Sequence, residues 1–313
     1  MIASSYLGRR LAFALLVVFG VTVTTFLLMH AVPGDPAAAV LGEHATPAAV
    51  AALRRQWGLS QALPQQFWHF VVDLLTLRLG DSYIYKTPVD SLIASRIGLT
   101  AALVALATLF AVVITVPLAT LAAAQQDRIA DHIVRAGTVV GLGMPSFWFG
   151  IVLIEIFALR LHLLPVGGAG TSLVGGLRSL ILPGLTASLA IVPLLVRSLR
   201  VGMIEVLDSD YVATARAKGL SELRVLTWHV ARNAVIPTVT LLGLNIAFLV
   251  GSTVVVEQVF ALNGLGSLLL DSIINRDFPV VQAVTLVLAA SVVVINLLTD
   301  LLAARLDPRI RLR

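Results

Sequence analysis

Six long stretches of this 313-residue chain contain no Asp, Glu, Lys or Arg: Leu11 to Gly34, Ile97 to Gln126, Ala136 to Ile154, Ser179 to Val196, Asn233 to Val256 and Phe278 to Thr299. A helix built from such a run has no polar face to turn toward water. Each run is close to or above the ~20 residues that cross a ~30 Å hydrocarbon core as a helix. The runs therefore predict an all-α, polytopic membrane protein with six transmembrane helices. Composition agrees, since 58% of residues are hydrophobic and 12% charged, against roughly 25% charged in a soluble domain. That balance excludes a freely soluble globular enzyme. The absence of Cys excludes disulfides, thiolate catalysis and Cys-based zinc sites.

The basic residues orient the spans. If the N-terminus is cytoplasmic, the inner segments hold Arg9, Arg10, Arg128, Arg135, Arg197, Arg200, Arg216, Lys218, Arg224, Arg232, Arg305, Arg309, Arg311 and Arg313. Five of the remaining eight lie between Pro33 and Arg96, an outer loop long enough for its charges to count little in the positive-inside rule. Both termini are thus expected in the cytoplasm. Such scattered charges suit membrane topology better than a nucleic-acid stripe. The first run is too long for the roughly 7–15-residue core of a cleaved signal peptide.

Two other charge-poor stretches do not span. Between Arg160 and Arg178, Pro165 and five glycines predict a loop, and Gln56 to Val72 is too polar. The outer loop reads as short amphipathic helices, with Thr46 as N-cap, Pro47 in the first turn and Gly58 as the stop. Its Trp57, Phe67, Trp68, Tyr83 and Tyr85 suggest docking of a protein on that side. The inner stretch Arg197 to Arg232 contains ten charged residues, which at the bilayer centre would cost on the order of 25–35 kcal/mol. Within it, Asp208, Ser209 and Asp210 offer caps, Tyr211 to Lys218 predicts a short helix, and Gly219 ends it. Ser221 is expected to cap a second short helix bearing Leu223, Leu226, Thr227 and Val230, before Pro237 opens the fifth span.

The run Tyr211-Val212-Ala213-Thr214-Ala215-Arg216-Ala217-Lys218-Gly219 resembles the EAA loop of ABC-importer permeases, in the form found in the dipeptide/oligopeptide/nickel family. Further landmarks of that family stand in order along nearly the whole chain: Pro33-Gly34-Asp35-Pro36, Trp57-Gly58-Leu59, Leu79-Gly80-Asp81-Ser82, Leu164-Pro165-Val166-Gly167-Gly168, Glu257-Gln258-Val259-Phe260 with Gly264-Leu265-Gly266, Arg276-Asp277-Phe278-Pro279 and Asp307-Pro308-Arg309. They resemble the first of the family's two permease subunits. The resemblance implies an extracytoplasmic loop over 33–96 and a five-span core over 97–313. A coupling loop over 197–236 would carry ATPase contacts at Tyr211, Ala213, Ala215, Arg216, Lys218 and Gly219. It implies as partners a second permease subunit, two ABC ATPases, an extracytoplasmic binding protein and a peptide, with ATP and Mg held by the ATPases and no cofactor in this chain. The location implied is a bacterial inner membrane, which the 20 Arg against 2 Lys suit as a GC-rich composition. One departure matters: Ala213 stands where the general EAA motif has its glutamate, so that carboxylate's salt bridge to the ATPase is not available.

Other motifs are weaker. From Gly80 to Lys86 and Thr87 a phosphate-binding loop is approached, but Tyr85 replaces the second glycine. His30, His44, His69, His132, His162 and His229 show no helical i, i+4 metal pair. Glu155 is expected to reach the outer interface beside Arg160. Glu257 and Phe260 are candidates for an outer gate or interfacial anchor. Gly137 and Gly141 form a small-xxx-small pair suited to packing. Rival readings are nickel or another small solute as cargo, an ion-driven secondary transporter and a structural membrane subunit. A secondary carrier would show intramembrane carboxylates or broken helices arranged as an inverted repeat.

Overall fold

The computed structural model describes residues 2–31, 34–76, 78–168 and 173–306. Pro33, the terminal Asp307-Pro308-Arg309 landmark, and Arg311 and Arg313 of the inner set lie outside the described residues. The architecture is all-α, and among the described residues the one extended pairing is an isolated bridge between Asp81 and Pro88. In chain order the helices are α1 (Ile2–Ala31), α2 (Pro36–Leu41), α3 (Pro47–Gln56), α4 (Leu63–Leu75), α5 (Val89–Ala124), α6 (Ile129–Gly143) and α7 (Ser146–Leu153). They continue with α8 (Leu173–Leu189), α9 (Val192–Leu207), α10 (Asp210–Ala217), α11 (Glu222–Arg224), α12 (Arg232–Val259), α13 (Leu265–Ile274) and α14 (Phe278–Leu306). Two π-helical segments, Ile154–Arg160 and Val225–Ala231, extend α7 and join α11 to α12.

Six spans are predicted by the neutral runs. Among the described residues, three helices are long and apolar enough to cross a membrane: Val89–Ala124, Val225–Val259 and Phe278–Leu302. Two further pairs, α6 with α7 and α8 with α9, are bent by 106° and 57°, and counting each as one span gives up to five. In α1 the apolar stretch Ala12–Leu28 is shorter.

The first bend interrupts the run Ala136 to Ile154. Pro145 disfavours helical geometry at its predecessor, and Met144 is extended at φ −94°, ψ 132°. The second falls at Ala190 and Ile191, with Pro193 in the first turn of α9, where its missing N–H costs no hydrogen bond. Pro117, Pro183 and Pro237 instead lie inside helices.

Three sequence expectations are corrected at this level. The Arg160–Arg178 stretch is not all loop, because α8 begins at Leu173 and takes in Gly175, Gly176 and Arg178. The inner stretch is helical from its start, because α9 continues to Leu207. Pro237 opens no span: the chain is helical from Glu222 through the π segment into α12. That segment's i→i+5 register places Val225 and Val230 on one side, and both are buried.

The chain divides into two compact units. One comprises 1–6, 101–262 and 292–313; the other comprises 7–100 and 263–291. In the first, α12 packs on α9, α7 and α8, while α6 packs on α9 and α7 on α8. Small residues allow close approach there. A β-carbon at Gly141 would press on the Pro193 ring, and one at Gly243 would overlap Thr299. Gly137 has open space beside it, so within this chain the close approach is at Gly141. In the second unit, Val89, Ile93, Leu265, Leu268, Val280, Ala283 and Val284 form a buried cluster.

Candidate functional site

The first unit carries the short helix α10. Val212 and Ala215, three residues apart on one face, are buried, while Ala213, Thr214, Arg216, Ala217 and Lys218 are exposed. Lys218 closes the helix, and Gly219 follows at φ +79°. There Gly219 N–H donates to the Arg216 carbonyl at 2.9 Å and Leu220 N–H to that of Ala215 at 3.4 Å, the paired bonds of a Schellman cap. The expected stop at Gly219 is therefore present. The Ser209 and Ser221 hydroxyls make no capping bond.

Side-chain contacts tie α10 to the helical stretch that runs from α11 through the π segment into α12. Tyr211 Oη donates to the His229 carbonyl at 3.4 Å. Asn233 Nδ2 donates to Tyr211 Oη at 3.1 Å and to the same carbonyl at 2.8 Å. Arg216 Nε donates to Glu222 Oε1 at 2.8 Å, and α10 lies against the π segment. Of the predicted ATPase-contact residues, Ala215 faces inward and Arg216 is engaged by Glu222. Ala213 and Lys218 face outward. Of the expected apolar face, Val230 is buried, Leu226 half-buried and Thr227 exposed.

Between α6 and α9 stands a pair that sequence spacing does not show. Asp131 is fully buried and accepts from Arg200 Nε at 2.6 Å and Nη2 at 2.5 Å, a bidentate fork. It also accepts from the Asp127 backbone N–H at 3.0 Å.

Glu257, a candidate for an outer gate or anchor, is wholly buried in α12. Phe260, its neighbour in that proposal, is also buried. Its carbonyl accepts from Gly168 N–H at 3.1 Å, and a β-carbon at Gly167 would overlap that carbonyl. Its ring edge lies beside Gly150. Both residues belong to the packed interior of the first unit. Glu155 is exposed and paired with Arg160 at 2.9 Å.

The second unit collects landmarks that are far apart in sequence. The buried Asp277 carboxylate accepts from the Ser82 hydroxyl, from Tyr83 N–H at 3.0 Å and from Ile84 N–H at 3.3 Å. Burial, and secondarily the Asp277 charge, push the Tyr83 phenol well above its usual range. Gly34, at φ +121°, leaves room for the Arg276 guanidinium, which a β-carbon there would displace. Asp35 caps α2 through Ala37 N–H at 3.0 Å and pairs with Arg54 at 3.2 Å. Thr46 Oγ1 accepts from Ala49 N–H at 3.2 Å, so the predicted cap of α3 is present.

Among the aromatic docking candidates, Trp57 and Tyr83 stack on each other with centroids 3.7 Å apart. Phe67 packs edge-on against Phe26 of α1. Trp68, 66% exposed, and Tyr85, beneath Arg96, remain outward. Beside the Trp57–Tyr83 stack lies a cavity of about 800 Å³.

The family model described as "Binding-protein-dependent transport system inner membrane component" matches residues 115–312. That for the N-terminal part, "Binding-prot-dependent transport system membrane comp, N-term", matches residues 3–104. The chain belongs to this family of ABC-importer permeases. The permease is 39% identical over 307 residues to the glutathione transport system permease protein GsiC of Pectobacterium atrosepticum, covering 98% of this chain and 99% of that one. It is 38% identical, with the same coverage, to the GsiC proteins of Escherichia coli K12 and Salmonella typhimurium. These relatives place it in the peptide/nickel branch, and the permease is a multi-pass component of the bacterial inner membrane.

Proposed function

We propose that the permease is the first of two membrane subunits of an ATP-driven importer of di- and oligopeptides. The reading has six spans, cytoplasmic termini, the 33–96 loop outside and the 197–236 stretch inside. Similarity over 98% of the chain to permeases named for glutathione, itself a tripeptide, carries the cargo reading. In the assembly the chain forms half of the path beside a second permease subunit. Two cytoplasmic ATPases hold ATP and Mg, and an extracytoplasmic binding protein delivers the peptide.

The geometry of α10 supports the coupling step. A short capped helix presenting Ala213, Ala217 and Lys218 to a partner is linked to the foot of α12, because Tyr211 meets Asn233 and the His229 carbonyl. A push from closing ATPases is thereby delivered to the foot of a long helix. The binding energy of ATP biases the spans between outward- and inward-facing arrangements. With Ala213 in place of a carboxylate, contact rests on shape and on the Lys218 ammonium.

The test is reconstitution of the full complex in liposomes, with ATP on the ATPase side and a labelled tripeptide with its binding protein on the other. ATP-dependent accumulation is expected. Uptake driven by an ion gradient without ATP, or active ATPases that move no peptide, would overturn the reading.

A further inference from the structure

The cavity in the second unit is built as a binding site rather than as a packing gap. Its volume of about 800 Å³ lies within the range of small-molecule pockets. One wall is the Trp57–Tyr83 stack, only 6° from parallel. Facing ring quadrupoles repel in that arrangement, and a cation near the ring face relieves the repulsion. Lys86 supplies one, its Nζ 5.7 Å from the Trp57 centroid.

Lys86 reaches that place from a strained backbone. Its φ is +54°, which a residue with a β-carbon rarely adopts and which concentrates at functional positions. The loop is held in this shape by Ser82 N–H to the Thr87 carbonyl at 3.0 Å, by Lys86 N–H to the Ser82 carbonyl at 3.2 Å, and by the Asp277 clamp.

The same cavity is lined by Asp73, Arg78 and Asp81. Among the described residues, none of these three side chains, nor Lys86, forms an ion pair within the protein. Two carboxylates and two cations thus border one concave space with their charges unneutralised by each other. That lining complements a ligand carrying both an ammonium and a carboxylate, with an apolar body to lie against the rings.

We propose that this cavity binds a small zwitterionic peptide directly, as a receiving site on the permease. The inference rests on the peptide reading above for its biological sense, though the binding itself needs neither ATP nor the binding protein.

The experiment uses the complete transporter in nanodiscs, without ATP and without binding protein, and measures equilibrium binding of labelled trialanine. One saturable site is expected. N-acetylated, C-amidated trialanine should bind at least tenfold more weakly. Lys86→Gln, and separately the Asp73→Asn/Asp81→Asn pair, should each weaken trialanine binding about tenfold; all three positions are exposed, so the fold is retained. Absence of saturable binding would overturn the proposal. So would unchanged affinity in both variants, which would place the peptide elsewhere, or equal affinity for the blocked peptide. A complex that imports peptides but fails here sinks this inference alone, whereas one that binds trialanine here but imports no peptide sinks the cargo reading alone.

Discussion

Replacing Asp131 by Ala is expected to destabilise the first unit strongly. The carboxylate is completely buried and takes both ends of the Arg200 fork, while Arg200 keeps only 15% of its side-chain surface exposed. Removing one partner strands the other charge in a low-dielectric setting, at a cost of about 3–5 kcal/mol. Replacing both partners by apolar groups of similar size, Asp131→Leu with Arg200→Met, removes the charge together with its partner, and most of the loss should be recovered. Unfolding midpoints of the purified permease in mixed detergent micelles, for wild type, Asp131→Leu, Arg200→Met and the double, complete the cycle, with Asp131→Ala measured beside them. The reasoning is refuted if Asp131→Ala costs less than about 1 kcal/mol or if the double variant is no more stable than that single.

Other outcomes follow from single contacts. Gly219→Ala should cost about 1–2 kcal/mol of local stability, all of it from the +79° φ, because a β-carbon there meets nothing; hydrogen exchange along α10 reads it. Gly167→Ala drives a β-carbon into the Phe260 carbonyl and should cost at least about 1–3 kcal/mol by overpacking, seen as a lower unfolding midpoint. The raised Tyr83 phenol predicts a pH effect of defined sign. The unfolded chain loses that proton near pH ~10 and the folded one only at higher pH. Stability from this group is therefore complete below pH ~10 and falls as pH rises above it. Tyr83→Phe should flatten that part of the pH–stability curve.

The residues showed some of this directly and hid the rest for physical reasons. Charge-free runs and ordered landmarks identify a helical membrane permease, since hydropathy and family motifs are local properties of the chain. Where the helices bend is less legible. Pro145 ends a helix, yet Pro117, Pro183 and Pro237 are carried inside theirs, so tertiary packing decides what each proline does. The α10 stop was legible because a glycine at the C′ position has a strong backbone signature, whereas the anchoring of Tyr211 through Asn233 was not. Pairings across the chain left no periodic trace: Asp131 and Arg200 are 69 positions apart, and Ser82 and Asp277 are 195. The landmark motifs hinted at the second of these only by being landmarks. The aromatic residues of the 33–96 stretch suggest a docking surface, but Trp57 and Tyr83 turn toward each other and a cavity, which only the fold reveals.

The central claim, that α10 transmits the ATPase stroke through α12, is tested most directly by the ratio of ATP hydrolysed to peptide imported in proteoliposomes carrying Lys218→Glu with Gly219→Val. Both substitutions act on the exposed end of α10, and co-purification of all subunits verifies assembly. If α10 carries the stroke, binding-protein-stimulated hydrolysis and uptake fall together, or hydrolysis continues with uptake reduced at least about tenfold, a barrier change of about 1.4 kcal/mol. An assembled complex with wild-type uptake and an unchanged ratio would contradict it.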